Sequence, residues 1–296
     1  MTLTGWIFGA LAVVSAALNA WQWWAARRFP LHRRIARPDF APAVTLLKPL
    51  KGCDAETEGC LRSWFRQQYA GPIEILFAVA GADDPAFALV NRLLAEFPTA
   101  NARLVVCPEL RGANAKIAKL AQLARHAGHD LWVISDADVR VPPELVANVV
   151  APLREADVGL AFCFYRLANP QTVAMRWEAV MINADFWSQV LQGKSARGLD
   201  FALGAVMATR RAEVERIGGF EALADCLADD YQLGHRIAKA GKRIEICPVV
   251  VECWDPPQGW RAVWAHQLRW ARTIRVSMPV GYFFSILGNA TFWPLL

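Results

Sequence analysis

The alternation of apolar runs with amphipathic helical patterns between residues 44 and 139 is the feature that most constrains the fold. Four short apolar runs in this range predict strands, and they begin at Val44, Ile73, Ala102 and Leu131. Strands that alternate with helices are typical of α/β folds with a parallel sheet. We therefore expect a mostly parallel, twisted sheet with flanking helices. No G-x-G-x-x-G follows the first strand and no G-x-x-x-x-G-K-[ST] is present, so the sequence does not support a dinucleotide-binding or P-loop fold.

The strand predicted at Leu131–Ser135 ends in two carboxylates, Asp136 and Asp138, one residue apart. Ligands of open α/β sheets bind beyond the carboxyl ends of the strands. Paired carboxylates at that edge can supply the hard oxygen ligands that Mg²⁺ or Mn²⁺ prefers. Such a metal could bridge a nucleotide diphosphate and neutralise it as a leaving group. A solvated acidic turn explains the motif equally well, because D-x-D is short and common.

Charged residues at the ends of other predicted elements extend this candidate site. Lys48 and Asp84 lie at the ends of predicted strands, so the first half of the chain is expected to bind a nucleotide. Asp229 and Asp230 open a helix that is predicted to run through Ala240. Carboxylates in the first turn of a helix are favoured by the helix dipole, so these two also fit a purely structural N-terminus.

Both ends of the chain are apolar. Residues 5–26 have about the length that spans a bilayer, and three Trp and then a cluster of Arg lie at the C-terminal end of this run. No Lys or Arg precedes it, which favours an uncleaved transmembrane helix with a cytoplasmic C-terminal end over a signal peptide. Trp260–Arg275 combines Trp with Arg and predicts an amphipathic helix in the membrane interface. Residues 276–296 carry no charge and are expected to form an incomplete membrane segment.

Composition agrees with membrane association. Hydrophobic residues make up 55% of the 296 residues and charged residues 20%, which is more apolar than an ordinary soluble protein. The net charge of +5 is mild, and no basic run interleaved with aromatics crosses the middle of the chain, so nucleic-acid binding is not expected. The seven Cys include no C-x-x-C pair and indicate core residues of a reducing compartment.

Seven short stretches together resemble the glycosyltransferase family 2 fold, and more closely the ceramide glucosyltransferase family with its bacterial relatives, which include hopanoid-associated glycosyltransferases. In chain order the stretches are LLKPLKG (46–52), DDPA (83–86), NAKI (114–117), SDAD (135–138), GG (218–219), ADDY (228–231) and RW (269–270). The resemblance implies a GT-A-type fold with an N-terminal transmembrane helix and a C-terminal membrane segment.

The resemblance also implies roles for the matching residues of the first half and of the ADDY stretch. Asp84 would contact the uracil end of a UDP-sugar. Asp136 and Asp138 would hold Mg²⁺ or Mn²⁺ on the diphosphate, so Asp136 also belongs to the donor site. Asp230 would be the general base.

A second motif of the family, (Q/R)-x-x-R-W, would lie near the diphosphate and the acceptor. Arg269 and Trp270 match it, whereas its first position is His266. Histidine could still donate a hydrogen bond there, but its charge would depend on pH. Glu178, on a predicted apolar helix, is expected at the surface, with a place in the acceptor pocket as the alternative.

Glycosyl transfer from UDP needs a metal-binding pair and one separate base. The metal takes the charge of the leaving group, and a carboxylate within hydrogen-bond reach accepts the proton of the acceptor hydroxyl. One base on the face opposite UDP gives a single displacement with inversion. Asp136 with Asp138, and Asp230, would supply this set. The cations expected to help hold the phosphates are Lys48, Lys116 and Arg269.

We therefore predict an inverting UDP-sugar-dependent hexosyltransferase that acts on a hydroxyl of a membrane lipid at the cytoplasmic face of the cell membrane. Glucosyl transfer to ceramide is preferred, and N-acetylglucosaminyl transfer to a hopanoid polyol is the alternative within this class. The sequence is also compatible with a polysaccharide synthase fragment and with a non-catalytic membrane scaffold. The predicted division is a transmembrane helix (1–28), a basic linker (29–43), a catalytic domain (44–258), an interfacial helix (259–275) and a membrane segment (276–296).

Overall fold

The computed structural model describes residues 2–31, 33–35, 39–109 and 111–288. The chain divides into two compact units, each of which is described by itself. The larger one, here called the sheet unit, comprises residues 31–172 and 199–257. The smaller one, the helical unit, comprises residues 1–30, 173–198 and 258–296. Residues 173–198, which fall inside the predicted catalytic range 44–258, therefore group with the two ends of the chain.

The strands and helices of the described residues are numbered in chain order. The strands are β1 (Val44–Pro49), β2 (Ile73–Val79), β3 (Ala102–Val106), β4 (Leu131–Ser135), β5 (Val139–Arg140), β6 (Val158–Leu167), β7 (Val206–Arg210) and β8 (Arg243–Cys253). The α-helices are α1 (Leu3–Arg28), α2 (Thr57–Trp64), α3 (Pro85–Glu96), α4 (Ala115–His126), α5 (Leu145–Val150), α6 (Val173–Val180), α7 (Trp187–Arg197), α8 (Arg211–Arg216), α9 (Asp229–Lys239), α10 (Trp260–Ser277) and α11 (Pro279–Phe284).

All eight strands form one sheet in the order β3-β2-β1-β4-β7-β6-β8-β5. Neighbouring strands from β3 to β4 pair in parallel, as do β6 and β8. β7 runs antiparallel to both β4 and β6, and β5 antiparallel to β8. The predicted mostly parallel sheet with flanking helices is confirmed. The reversed direction of β7 was not predicted, because a buried apolar run such as Val206–Ala208 looks the same in either direction.

Two side-chain caps fix the starts of α3 and α4, which begin at the carboxyl edge of the parallel half of the sheet. Asp84 caps α3 by accepting from the amide of Ala86, and Pro85 occupies the first helical position. Asn114 caps α4 by accepting from the amides of Lys116 and Ile117. Each cap fixes where its helix begins, and thereby places the side chains of the first turn near the ends of β1 and β4.

The helical unit begins with α1, which is 26 residues long. Among the described residues, α1 is the one helix with the length and composition to cross a bilayer. Its polar interruptions lie on one face, and Ser15 and Gln22 are buried. Gln22 donates from Nε2 to Oε1 of Gln192 on α7 (3.2 Å) and accepts at Oε1 from Ser188 Oγ (3.1 Å). The polar face of α1 therefore packs against α7 within this unit.

A continuous helical segment joins α6 to α7 through a π-helical stretch at Met181–Phe186. α6 packs against α10 through the buried side chains of Ala174, Met175 and Val263. The interfacial helix predicted at Trp260–Arg275 corresponds to α10. The predicted linker and C-terminal membrane segment extend partly outside the described residues, at positions 32, 36–38 and 289–296.

Candidate functional site

A partly buried cation joins three elements of the sheet unit. Lys116, in the first turn of α4, places Nζ 2.6 Å from Oδ1 of Asp136 and 3.1 Å from Oδ2 of Asp229. Asn114 Nδ2 donates to Oδ1 of the same Asp229 (3.2 Å). Burial lowers the pKa of Lys116, but the charges of Asp136, Asp229 and Asp230 outweigh it and hold that pKa above its ordinary value. Lys116 is therefore a fixed positive charge between the D-x-D turn and the start of α9.

Asp230 lies beside this cluster, in the first turn of α9. Its Oδ1 accepts from the amide of Tyr231 (2.8 Å). Its Oδ2 approaches Gly204 so closely that a Cβ built there would lie 3.0 Å away. Removal from water and the charge of Asp229 raise the pKa of Asp230 to about 6, against a lowering by Lys116. Such a carboxylate is ionised at neutral pH and still basic enough to accept a proton.

Asp136 and Asp138 lie in the turn between β4 and β5. The backbone carbonyl of Asp138 accepts from Trp254 N (3.0 Å) and Cys60 Sγ (3.3 Å), which fixes this turn. Burial, followed by the charges of Asp136 and Asp255, raises the pKa of Asp138 to about 6. Carboxylates that repel each other in this way would be relieved by a divalent cation.

The donor set of the turn fits Mg²⁺ or Mn²⁺, because carboxylate oxygens are hard ligands. Within the described residues no group of three or more His, Cys, Asp and Glu is arranged to hold a metal. Two protein carboxylates completed by water and substrate phosphates are the usual arrangement for Mg²⁺ in sites that bind nucleotides. Asp136 and Asp138 therefore fit a metal that binds together with a diphosphate.

Lys48 lies beneath the D-x-D turn and is fully buried. Its ammonium donates to the backbone carbonyl of Asp136 and to Ser135 Oγ, and lies over the ring of Trp64 at 4.8 Å from the centroid. Burial lowers its pKa to about 8. The contacts of Lys48 thus hold the backbone of the turn, and its predicted role at the phosphates stays a prediction.

Asp84 stabilises the local backbone, in addition to any role in donor binding. Its Oδ1 accepts from Gly52 N and Ala86 N, both at 2.9 Å, and so ties the segment after β1 to the start of α3. Gly52 has a φ of +68°, a backbone conformation that glycine adopts readily. A lysine that sequence reasoning missed, Lys119, holds the same segment by donating to Leu50 O (2.7 Å). The spacing of Lys116 and Lys119 on one helix face was the available signal.

His266, Arg269 and Trp270 belong to α10 in the helical unit. The Nδ1 atom of His266 lies 2.7 Å from Oε1 of Glu178 on α6, and the imidazole packs edge to face with the ring of Trp270. Gln267 Nε2 donates to the same Glu178 oxygen (2.9 Å). The expected surface position of Glu178 was wrong, since the residue is only 4% exposed. Its partners are 88 and 89 residues away in the chain, so local periodicity could not reveal them.

Comparison with known proteins gives the family. A family model described as Glycosyl transferase family 21 matches residues 6–296. The chain belongs to glycosyl transferase family 21. The resemblance expected from the seven stretches is thereby confirmed.

Several curated relatives are similar to parts of the chain. Ceramide glucosyltransferase of Candida albicans is 31% identical over 121 residues, which are 37% of this chain and 22% of that protein. Ceramide glucosyltransferase 3 of Caenorhabditis elegans is 23% identical over 222 residues, 74% of this chain and 48% of that protein. The probable glycosyltransferase YdaM of Bacillus subtilis is 22% identical over 237 residues, 78% of this chain and 55% of that protein. The chain thus spans about half or less of the length of these relatives.

A solved structure shows the same fold. The mannosyltransferase PcManGT from Pyrobaculum calidifontis, in complex with GDP-Man and Mn²⁺, superposes with a TM-score of 0.67 and 24% identity. The alignment covers 96% of this chain and 83% of that one. The predicted glycosyltransferase fold is confirmed, and family and fold together support a role in glycosyl transfer.

Proposed function

We propose that the protein is an inverting glycosyltransferase that moves a hexose, with glucose preferred, from a UDP-sugar to a hydroxyl of a membrane lipid. The observation that carries the proposal is the cluster around Lys116, which brings together the D-x-D turn and the start of α9. We assign metal binding to the carboxylate pair of this turn and proton acceptance to the separate carboxylate of raised pKa beside it, the two parts that the reaction requires.

Asp230 is the proposed general base. With a pKa of about 6 it is ionised at neutral pH and can accept the proton that the acceptor hydroxyl loses as it attacks the anomeric carbon. The C–O bond to the UDP oxygen breaks as the new glycosidic bond forms. A single displacement of this kind inverts the anomeric configuration.

Asp136 and Asp138 are the proposed ligands of Mg²⁺ or Mn²⁺, which when bound would neutralise negative charge on the diphosphate. Lys116 supplies a fixed positive charge between Asp136 and Asp229 and so keeps the turn and α9 aligned. Lys48 supports the same turn from below. Asp84 is proposed at the uracil end of the donor.

The lipid acceptor and the location are proposed from the helical unit and the named relatives. α1 has the length and composition of a membrane span, and α10 exposes Trp260, Trp264 and Leu268 among several Arg. Ceramide and glucose follow from the ceramide glucosyltransferases among the relatives. We place the catalytic unit at the cytoplasmic face, with His266, Arg269 and Trp270 acting on the diphosphate or the acceptor.

Sugar transfer by the purified chain in detergent tests the proposal. UDP-glucose, UDP-N-acetylglucosamine and GDP-mannose are offered with Mn²⁺ or Mg²⁺, each against ceramide and a hopanoid polyol. We expect transfer from UDP-glucose to ceramide, with a β-linked product by NMR because the donor is α-linked. Transfer from GDP-mannose alone would overturn the proposed donor, and an α-linked product would overturn inversion.

Asp230→Asn is the decisive variant, and Asp130→Asn is its matched control. Asp130 precedes the opposite end of β4 and its side chain is 90% exposed. We expect Asp230→Asn to lose about 10²–10⁴-fold of the transfer rate, and Asp130→Asn to keep it. Absence of transfer with every donor and lipid would favour a scaffold.

A further inference from the structure

Asn114 uses every hydrogen-bonding group of its side chain at the start of α4. Its Oδ1 accepts from the amides of Lys116 (3.0 Å) and Ile117 (3.2 Å). Its Nδ2 donates to the carbonyl of Cys226 (2.8 Å) and to Oδ1 of Asp229 (3.2 Å). A carboxamide has two acceptor lone pairs and two donor hydrogens. The side chain of Asn114 is therefore fully occupied by two segments of the sheet unit, the start of α4 and the chain that leads into α9.

Backbone contacts hold the same two segments together. The amide of Asn114 donates to Ala224 O (2.9 Å), and the amide of Ala113 donates to Oδ1 of Asp225 (3.0 Å). Gly112 has a φ of +82°, and a Cβ built there would lie 2.6 Å from the carbonyl oxygen of Ala224. Glycine permits this conformation and this close approach. The chain before α9 is therefore held against the start of α4 over several residues.

Asp229 is held by two side chains from the start of α4. Its Oδ1 accepts from Asn114, and its Oδ2 lies 3.1 Å from Nζ of Lys116. The side chain of Asp229 is only 14% exposed. The next residue, Asp230, accepts at Oδ1 from the amide of Tyr231. Asp229 therefore anchors the first turn of α9, and the position of Asp230 in that turn depends on this anchor.

We propose that Asn114 is a positioning residue for sugar transfer, which binds Asp229 to the start of α4 and thereby fixes Asp230 relative to the D-x-D turn. The inference rests on the proposed function, in which Asp230 accepts the proton of the acceptor hydroxyl. A general base must lie within about 2.6–3.2 Å of the atom that loses the proton. A displacement of about 1 Å can cost about 10²-fold in rate. Asn114 itself touches no reacting atom and acts through Asp229.

Asn114→Ser separates the connection to Asp229 from the cap of α4. Serine is also a strong N-cap residue. Its side chain is shorter and has one donor hydrogen, so we expect the hydrogen bond to Asp229 to be lost. kcat should fall about 10–100-fold while the KM values of donor and lipid stay within about 3-fold, because the contact positions the base and not the substrates. A lower Tm with the parental kcat would assign Asn114 to structure alone and overturn the proposal.

The matched control is Asn91→Ser on α3. The Asn91 side chain is exposed and its Nδ2 donates to Phe87 O (3.0 Å), within its own helix. The same substitution there removes a carboxamide from the sheet unit without affecting the start of α9. We expect Asn91→Ser to keep the parental kcat and KM values.

A double-mutant cycle tests whether Asn114 acts through Asp229. In an Asp229→Ala background the partner of Nδ2 is already absent. Asn114→Ser is then expected to lower the residual kcat by at most about 3-fold, because the effects of residues in contact are not additive. An equal loss in both backgrounds would show that Asn114 acts by another route, and would overturn the proposal.

The pH profile gives a readout that a purely structural role would not move. The charges that act on Asp230 are those of Asp229, Lys116 and Asp136. Asn114→Asp keeps the acceptors of the cap and adds a negative charge that faces Asp229, so the acid limb of kcat/KM should move to higher pH. Asn91→Asp adds the same charge at an exposed position and should leave the limb in place. An unmoved limb in Asn114→Asp would contradict a connection between Asn114 and the base.

Sugar transfer by the parent protein distinguishes failure of this inference from failure of the proposed function. If the parent transfers sugar and Asn114→Ser keeps the parental kcat, this inference alone is rejected. If the parent transfers sugar from no donor, the proposed function is rejected and the positioning role with it. In that case, losses of Tm that are less than additive for Asn114→Ser and Asp229→Ala would show the contact alone.

Discussion

Two carboxylates of the molecule, Asp230 in the sheet unit and Glu178 in the helical unit, are both removed from water, and their pKa values move in opposite directions. Burial raises the pKa of each. Asp230 also has the negative charge of Asp229 beside it, and its pKa rises to about 6. Glu178 has two hydrogen-bond donors, and its pKa stays below the ordinary value. Because burial raises the pKa of both carboxyls, the opposite direction at Glu178 comes from its hydrogen-bond donors and from the charge of His266.

The largest expected effect is the loss of sugar transfer when the metal is removed, because metal binding is assigned to the D-x-D turn and not to Glu178. Chelation of divalent metal should abolish sugar transfer, and Asp138→Asn should lower the rate at least about 100-fold, since the diphosphate charge is then not neutralised. Mn²⁺ with UDP should raise the Tm of the parent but not that of Asp138→Asn, because a bound ligand stabilises the folded state. Glu178→Leu should keep this Mn²⁺ response. A full Mn²⁺ response in Asp138→Asn would contradict the assignment of the metal.

Removal of the central cation should change both the rate and its pH dependence. Lys116→Met leaves Asp136 and Asp229 without their ion pair, so we expect transfer to fall about 100-fold. Since Lys116 lowers the pKa of Asp230, its loss should move the acid limb of kcat/KM to higher pH. Lys51→Met, on the exposed side of the same region, is the control. An acid limb that does not move would mean that Lys116 does not act on the base.

Asp230→Asn should stabilise the protein while it removes activity. A carboxyl whose folded pKa lies above its unfolded value costs stability above that folded pKa, and the cost disappears as pH falls below the unfolded value. We therefore expect Tm to rise by about 2–5 °C at pH 8, with little change at pH 4. A lower Tm at pH 8 would show that the ionised carboxylate is stabilised by its surroundings.

Glu178→Gln should change Tm by the smallest amount, and in the direction opposite to that of Asp230→Asn. A carboxyl whose folded pKa is depressed contributes stability above its unfolded pKa, and that contribution is lost as pH falls through the folded pKa. We expect Tm to fall by about 1–3 °C at pH 7 and the difference to vanish in acid. If Glu178→Gln and Asp230→Asn changed Tm in the same direction in one pH series, the contrast between the two carboxylates would be contradicted.

The sequence was sufficient to predict the elements whose formation depends on residues close together in the chain. Apolar runs and amphipathic helical patterns predicted β1 to β4 and the helices between them, and these placed Asp136 at the carboxyl edge of the sheet. The ADDY stretch predicted the start of α9, where Asp230 lies. In each case the signal lies within a few residues of the feature that it predicts.

Features that depend on distant partners were not predictable in the same way. The direction of β7 is set by pairing with β4 and β6, and the burial of Glu178 by residues on α10. The ammonium of Lys48 contacts the backbone of the turn after β4, although its position at the end of a predicted strand suggested a phosphate ligand. Such contacts are fixed by tertiary packing, which leaves no local periodicity in the sequence.

The pH dependence of kcat/KM for sugar transfer tests the central claim most directly, because it reports the ionisation of the essential base in the free enzyme. If Asp230 is that base, the acid limb of the parent protein will have an apparent pKa of about 6, and the residual activity of Asp230→Asn will lack that limb. An acid limb near 4, or one that persists unchanged in Asp230→Asn, would show that another group accepts the proton.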